Sequence, residues 1–354
     1  MLFTHPLTSK LLHPIKLSLI KHFSQSTLQI SMSIETLKQS NSTSMEETHL
    51  PKTSSNSSYP TPLSPPLPLI SKEIELSRAM AASSKATVFS LSRDDVIFED
   101  QWLLVVNKPS GIYCETVLSS VPRLLQQSSD SVEASELHLA NRLDRDTSGV
   151  MVITKFHKVA AKLVKAFTDH KVQKTYMALC VGSAPKWDRI RLKSGHGRSK
   201  FGAWRVYAAS DVGRKLPGGS VVKDMETLFE LLSVNRVIHF KESFQCAENL
   251  EKVVVVEDKS STDANHGRDE ILVRAFPKSG RTHQIRLHCQ YLGLSIKGDV
   301  KYEGVCEWKG EICDAHSLHA ESLSLEHPIT GLPVKFQAPL PLWATQACNH
   351  EDHT

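Results

Sequence analysis

Asn141-Arg-Leu-Asp-Arg-Asp-Thr-Ser-Gly149 runs directly into Val150-Met-Val-Ile-Thr154. A densely polar turn feeding a short apolar run describes a loop carried on a buried strand. Besides an ordinary connection, two uses of its carboxylates can be weighed at once. Asp144, Asp146, Ser148 and Gly149 match positions 1, 3, 5 and 6 of a calcium loop, but position 12, where a bidentate glutamate belongs, is Lys155. No helix pattern follows at the required offset, so calcium is excluded. Asp144-x-Asp146-Thr147 also imitates the signature of aspartyl-phosphate phosphatases. There the nucleophilic aspartate ends an apolar strand; here the strand comes afterwards.

Working outward, Trp102-Leu-Leu-Val-Val106 predicts another buried strand, closed by the turn Asn107-Lys-Pro-Ser-Gly111. His157 to Thr168 predicts a helix. Val159, Leu163 and Phe167 form its core stripe, and Lys158, Lys162 and Lys165 a second, basic face. Tyr176–Val181 and Ile271–Phe276 read as further strands. Thr282 is placed to cap a helix running to Tyr291, with Ile285, Cys289 and Leu292 on one stripe and Gly293 ending it. Strands and helices interleave with no regular βαβ repeat. The expected class is therefore α+β with a mixed sheet rather than a doubly wound one.

The 354 residues carry a formal net charge of +4, which conceals an uneven distribution. Residues 80–228 sum to +7 and residues 229–270 to −4, and within 155–205 there are 13 basic side chains against 2 acidic ones. Taken alone, that run is a solvated lysine-rich surface; beside a functional site it is a candidate phosphate-binding surface. Residues 1–90 are expected to be a disordered Ser/Pro-rich extension, too poor in apolar side chains to offset the entropy of ordering. Its acid-poor, Ser-rich, basic start fits a transit peptide for chloroplast or mitochondrion. Against that, the first arginine is Arg78, and Met80 opens an alternative start that implies cytoplasm or nucleus. The folded domain is expected over 91–345, with an acidic insertion at 231–268 and a flexible tail at 346–354. No run approaches the roughly 18 apolar residues of a membrane span. The seven cysteines, odd in number and lacking a C-x-x-C pair, oppose a disulfide framework or a zinc site.

With these segments in view the polar loop acquires a third reading. Arg142-Leu-Asp-Arg-Asp-Thr-Ser-Gly149, continued to Lys155, resembles the catalytic signature of the RluA-type RNA pseudouridine synthases. Leu104-Val-Val-Asn-Lys-Pro-Ser-Gly111 is similar to that family's opening strand and turn, and Lys174-Thr-Tyr-Met-Ala-Leu-Cys-Val-Gly182 to its tyrosine strand. Gly280-Arg-Thr-His-Gln-Ile-Arg-Leu-His288, continued through Gly293, Ile296, Gly298-Asp299 and Tyr302, resembles its closing motif. Leu318-His-Ala320 and His327-Pro328 match the tail, so the resemblance extends in order from about Val96 to Pro341. One departure is Asn141, where many members carry histidine. It stands beside the catalytic residues and is expected to affect RNA contacts more than chemistry. The resemblance implies a largely antiparallel central sheet with flanking helices and a catalytic cleft. It also implies an isomerase acting on tRNA, rRNA or mRNA as a monomer, without cofactor or metal.

The implied reaction breaks the N–C glycosidic bond of uridine, turns the uracil and closes a C–C bond. Nothing is oxidised and no group is imported, so the chemistry asks for one ionised carboxylate. The resemblance gives that part to Asp144, either attacking the sugar C1′ or removing its C2′ proton, with Arg286 as its cationic partner. Tyr176 is implied to lie against the target base and Ile285 to close the pocket. Arg142 is implied to fill the gap left when uridine is flipped from its stack. Asp146 and Thr147 are expected to fix the loop, and His283 and His288 to be structural. Lys158, Lys162 and Lys165, then Arg189, Arg191, Lys193, Arg198 and Lys200, are expected to grip RNA phosphates. Two rival functions are a non-catalytic RNA-binding protein that keeps the fold and a magnesium-dependent phosphatase of the aspartyl-phosphate type. Loss of the aspartate would mark the first, and Asp144, Tyr176 and Arg286 are all in place.

Overall fold

The computed structural model describes residues 59–126, 137–238, 251–259 and 268–348. Helix α1 (Ser71–Ala86) precedes the antiparallel pair β1 (Val96–Glu99) and β2 (Leu103–Lys108), helix α2 (Cys114–Gln126), the short β3 (His138–Leu139), β4 (Ser148–Thr154) and helix α3 (His157–Thr168). Then come β5 (Gln173–Gly182), the hairpin of β6 (Arg189–Arg198) and β7 (Trp204–Tyr207), the long β8 (Lys223–Val234), β9 (Val237–Ile238) and β10 (Lys252–Val255). The last part holds β11 (Asp269–Pro277), helix α4 (Gln284–Tyr291) and β12 (Leu294–Ile296). A separate hairpin of β13 (Glu307–Trp308) and β14 (Glu311–Ile312) follows, then β15 (Leu318–Glu326), β16 (Pro333–Gln337) and helix α5 (Leu342–Cys348). Among the described residues the main sheet runs β1-β2-β4-β15-β5-β11-β8-β6-β10. Only β4–β15 and β6–β10 are parallel along that path. This is the mixed, largely antiparallel sheet of an α+β fold.

Alternation along the strands sends apolar side chains to both faces, and a helix covers each. Around β2 and β4, Leu103, Val105, Val150 and Val152 meet Val159 and Leu163 of α3 on one face. Leu104, Val106, Met151 and Ile153 meet Val117, Val121 and Leu124 of α2 on the other. Around β5 and β11, Ala178, Cys180, Ile271 and Val273 pack beneath Ile285 and Cys289 of α4. Met177, Leu179 and Leu272 pack beneath Ala344 and Ala347 of α5. Burying each larger aliphatic side chain contributes roughly 1.5–3 kcal/mol, so these four clusters fix where the loops between strands emerge.

Beyond shifts of a few residues at strand ends, three larger segments differ from the sequence expectation. Helix α1 lies inside the segment expected to be disordered, while residues 1–58 fall outside the described residues. Its apolar pattern is faint because Ser71 and Ala82, rather than large aliphatic residues, are its buried positions. In the acidic segment, residues 231–234 belong to β8, where Leu231 pairs with Val273 and Val234 with Ile271. Lys252–Val255 adds an edge strand beside β6. Residues 239–250 and 260–267 of that segment lie outside the described residues. The expected tail is helical as far as Cys348, with Ala347 buried and its carbonyl accepting a hydrogen bond from Ser233 Oγ at 2.9 Å. Residues 349–354 lie outside the described residues. No helix among the described residues is long and apolar enough to cross a membrane.

Candidate active site

A close crossing of two strands presents the aspartate loop. Gly149 pairs with Ala320 across the parallel β4–β15 ladder at φ +110°, and a Cβ there would lie 2.2 Å from the Ala320 carbonyl oxygen. Only glycine fits. The turn after β2 holds the loop from behind. The buried Lys108 Nζ donates to the carbonyls of Pro109, Ile112 and Arg145 at 2.8, 2.6 and 2.8 Å. Ser110 Oγ donates to the Asp146 carbonyl at 2.6 Å. Burial pulls the Lys108 ammonium down to about 8. Inside the loop, Thr147 N–H donates to the Asp144 carbonyl at 3.1 Å and Arg145 forks onto Asp146 at 2.6 and 2.8 Å.

Arg286 reaches this loop from the other half of the sheet. The cap of helix α4 is His283 rather than the expected Thr282, and His283 takes a left-handed φ of +57°. Its Nδ1 lies 2.7 Å from Tyr302 Oη, a hydrogen bond that holds the ring. One turn on, Arg286 Nη1 donates to Asp144 Oδ2 at 2.6 Å, while Nε and Nη2 fork onto Asp299 at 2.6 and 2.8 Å. Arg286 and Asp299 are 5% and 1% exposed, whereas Asp144 is 30% exposed. Asp299 thus compensates the buried guanidinium and leaves Asp144 partly open. Burial pushes the Asp144 carboxyl up, but the Arg286 cation and its hydrogen bond, with smaller contributions from His283 and His316, together hold it well below the usual carboxylate range. His283 Nε2 lies 3.8 Å from the same oxygen, and His316 Nε2 lies 2.8 Å from Thr147 Oγ1. Burial, then Arg286, presses these imidazoles down to about 3 and about 4. Both are neutral at pH 7, so the cation that Asp144 feels there is Arg286.

These groups line a cleft of about 1100 Å³. Tyr176 of β5 and Ile285 of α4 form part of its wall, and Ile285 also belongs to the core cluster beneath. Burial, then the Asp144 charge, raises the Tyr176 phenol above its ordinary value. Lys174 Nζ donates to the Ser279 carbonyl at 2.7 Å, and burial, then Arg281, lowers it to about 8. Seven Lys or Arg residues and four Asp or Glu line the cleft, so its charge balance favours a polyanion. Arg142 stands at the rim, 74% exposed, in a 3.0 Å surface pair with Glu115. Arg198 lines the cleft with its guanidinium 5.3 Å from the Trp204 ring centre.

Other residues singled out from the sequence lie elsewhere. Lys200 is exposed on the β6–β7 loop, 4.8 Å above the Phe201 ring. Lys158, Lys162 and Lys165 are exposed on α3, off the cleft wall; Lys162 donates to the Pro328 carbonyl at 3.1 Å, and Lys165 pairs with Asp169. Arg191 is held by Glu226 and Glu251. His288 is buried between Ser194 and Thr227. Conversely, Asp299, Tyr302 and His316 received no role from the sequence. Gly298-Asp299 and Tyr302 stand in the closing motif, and a buried arginine facing a part-exposed carboxylate calls for a second acidic partner. Nothing local marks His316. Among the described residues, no group of three or more His, Cys, Asp or Glu side chains is arranged to hold a metal ion.

A mixed sheet with a carboxylate–arginine pair at its open cleft defines a class of protein that comparison identifies. Residues 102–291 match the family model described as RNA pseudouridylate synthase, and the chain belongs to that family, as a member of its RluA type. It is 60% identical over 291 residues to RNA pseudouridine synthase 1 of Arabidopsis thaliana, a match covering 82% of this chain and 88% of that protein. The protein of the same name from Oryza sativa subsp. japonica is 57% identical, with 81% and 84% covered. Ribosomal large subunit pseudouridine synthase C of Pasteurella multocida is 30% identical over 269 residues, with 73% and 68% covered.

Proposed function

We propose that this chain isomerises uridine in RNA to pseudouridine, with Asp144 as the catalytic carboxylate and no cofactor. The observation that carries this reading is the 2.6 Å bond from buried Arg286 to a carboxylate that remains open to the cleft. Attack at C1′ and proton removal at C2′ both require ionised Asp144, and the guanidinium keeps it ionised despite desolvation. Among the described residues Asp144 Oδ1 has no hydrogen-bond partner, which leaves that oxygen for the substrate. Tyr176, its phenol kept protonated, provides a flat uncharged surface for the uracil. The isomerisation is redox-neutral and moves no external group, so these side chains suffice in principle.

Uridine must leave its stack to reach the cleft, at a cost of a few kcal/mol. Arg142 can exchange its exposed pair with Glu115, worth at most about 1 kcal/mol, for stacking on the neighbouring bases. Arg198 and Lys200 on the β6–β7 hairpin then meet the phosphates beside the flipped nucleotide, and Lys158 and Lys162 meet RNA beyond the cleft. The test is conversion of uridine in tRNA and rRNA by the full chain, compared with Asp144→Ala and Asp144→Asn. Loss in both variants supports the reading, and retained conversion in both overturns the assignment. Chelating magnesium leaves a synthase active and stops a phosphatase of the aspartyl-phosphate type.

A further inference from the structure

Helix α1 precedes residues 102–291, the span matched by the family model, yet it touches both arms of the active site. One arm is the aspartate loop; the other is the segment after β12 that supplies Asp299 to Arg286. Arg78 Nη1 donates to the Gly298 carbonyl at 2.8 Å and lies 3.7 Å from Asp146 Oδ2, while Nη2 donates to the Cys313 carbonyl. Glu75 Oε2 lies 3.6 Å from Arg145 Nη2 and 3.7 Å from Lys301 Nζ. Each side chain therefore joins a residue one or two positions from Asp144 to a residue one or two positions from Asp299.

The spacing makes this possible. Glu75 and Arg78 stand at i and i+3, and Ser71 and Ala82, both buried, extend the same face one turn each way. The segment before the helix is anchored separately. Leu63 N–H donates to the Val206 carbonyl at 2.8 Å, and Ser64 Oγ accepts from Arg205 Nε and Val206 N–H at 2.9 and 3.1 Å. Leu63 and Leu67 pack on the cluster of Val206, Met225, Leu287 and Tyr302. A helix fixed at its leading end, with two oppositely charged side chains each spanning the same gap, resists separation of the two arms.

We propose that α1 is a cross-brace of the active site, and that Arg78, assisted by Glu75, is a positioning residue that sets the approach of Asp144 to Arg286. Arg78 contributes through Asp146 and through the backbone beside Asp299, not by touching substrate. A displacement of about 1 Å in a reacting group can cost on the order of 10²-fold in rate, so a partial loosening should be visible. A chain begun at Met80 lacks both side chains.

The test is made in the full chain with Arg78→Gln and Arg78→Lys, read in two ways. Backbone hydrogen exchange should speed up at residues 144–147 and 298–301 in Arg78→Gln while the β5 and β11 amides stay protected. The single-turnover rate of pseudouridine formation should fall about ten-fold at unchanged RNA affinity, with Arg78→Lys recovering part of it. Unchanged exchange in both arms overturns the brace. So does weakened RNA affinity at an unchanged single-turnover rate, which would make Arg78 an RNA contact. If Arg78→Gln does not fold, Glu75→Gln removes only part-exposed pairs and takes the same two readouts. The rate measurement rests on the function proposed above, whereas the exchange measurement does not. Absence of pseudouridine with the unaltered chain overturns that function and leaves exchange to decide the brace.

Discussion

Helices α3 and α4 both flank the sheet and both carry basic residues that the sequence marks for RNA or catalysis, yet they use charge in opposite ways. In α3, Val159 and Leu163 make the inward contact and Lys158, Lys162 and Lys165 stay in water. In α4, seven of eight residues are buried, and Arg286 itself is the contact, held between Asp144 and Asp299. Residues 155–205 hold thirteen basic side chains, but of these Lys158, Lys162 and Lys165 of α3 do not lie on the cleft wall. A hydrated charge interacts weakly with its surroundings; a desolvated one must be matched and therefore fixes geometry. The density of charge along a chain locates a surface. Desolvation of a few charges locates a site.

The largest expected effect lies at the pair that α4 completes. At saturating RNA, Asp144→Asn should lower single-turnover conversion on the order of 10⁴-fold, while Lys162→Ala leaves the rate as it was. A comparable loss from Lys162→Ala would erase the contrast between the helices. Next comes stability. Arg286→Gln leaves the buried Asp299 without its cation and should cost about 3–5 kcal/mol in denaturant unfolding. Adding Asp299→Asn to it should restore part of that loss, and strict additivity of the two would argue against a shared network.

A smaller effect concerns binding. Arg198→Ala with Lys200→Ala should flatten the salt dependence of RNA affinity by about 1.4 in log–log slope if both meet single-stranded phosphates. Lys158→Ala with Lys162→Ala should change it less, and the reverse order would move the RNA path from the hairpin to α3. Smallest is the acid response. The folded value of Asp144 lies below its unfolded one, so the stabilisation it draws from Arg286 is present above the ordinary carboxylate range and is lost as pH falls through the folded value. Conversion should therefore show no Asp144 limb above about pH 4, and a limb near pH 5 that moves in Asp144→Glu would contradict this.

Much of the architecture was legible because local pattern and tertiary role coincide. The apolar spacing of α3 gave its observed bounds, His157 and Thr168, and β2, β4, β5 and β11 follow from their buried runs. Helix α1 was not legible, since its inward face is made of Ser71, Glu75, Arg78 and Ala82, and polar or small residues leave no hydrophobic period. The cap of α4 differs by one residue because Thr282 is the better capping side chain by type, whereas His283 occupies the cap in the left-handed conformation with its ring bonded to the Tyr302 hydroxyl. His316 lies far from Thr147 in sequence, so no spacing could connect them.

The sequence by itself determined the core strands β2, β4, β5 and β11, helices α3 and α4, the position of the aspartate loop, and the family to which the chain belongs. Only the tertiary structure decided that Asp144 and Arg286, 142 positions apart, lie 2.6 Å from each other, that Asp299 compensates the buried guanidinium, and that α1 contacts both arms. Periodicity and turn chemistry depend on neighbours a few residues away and are written in the chain. The strength of a charge pair depends on separation and desolvation, and both come into being only when the sheet brings distant loops to one cleft.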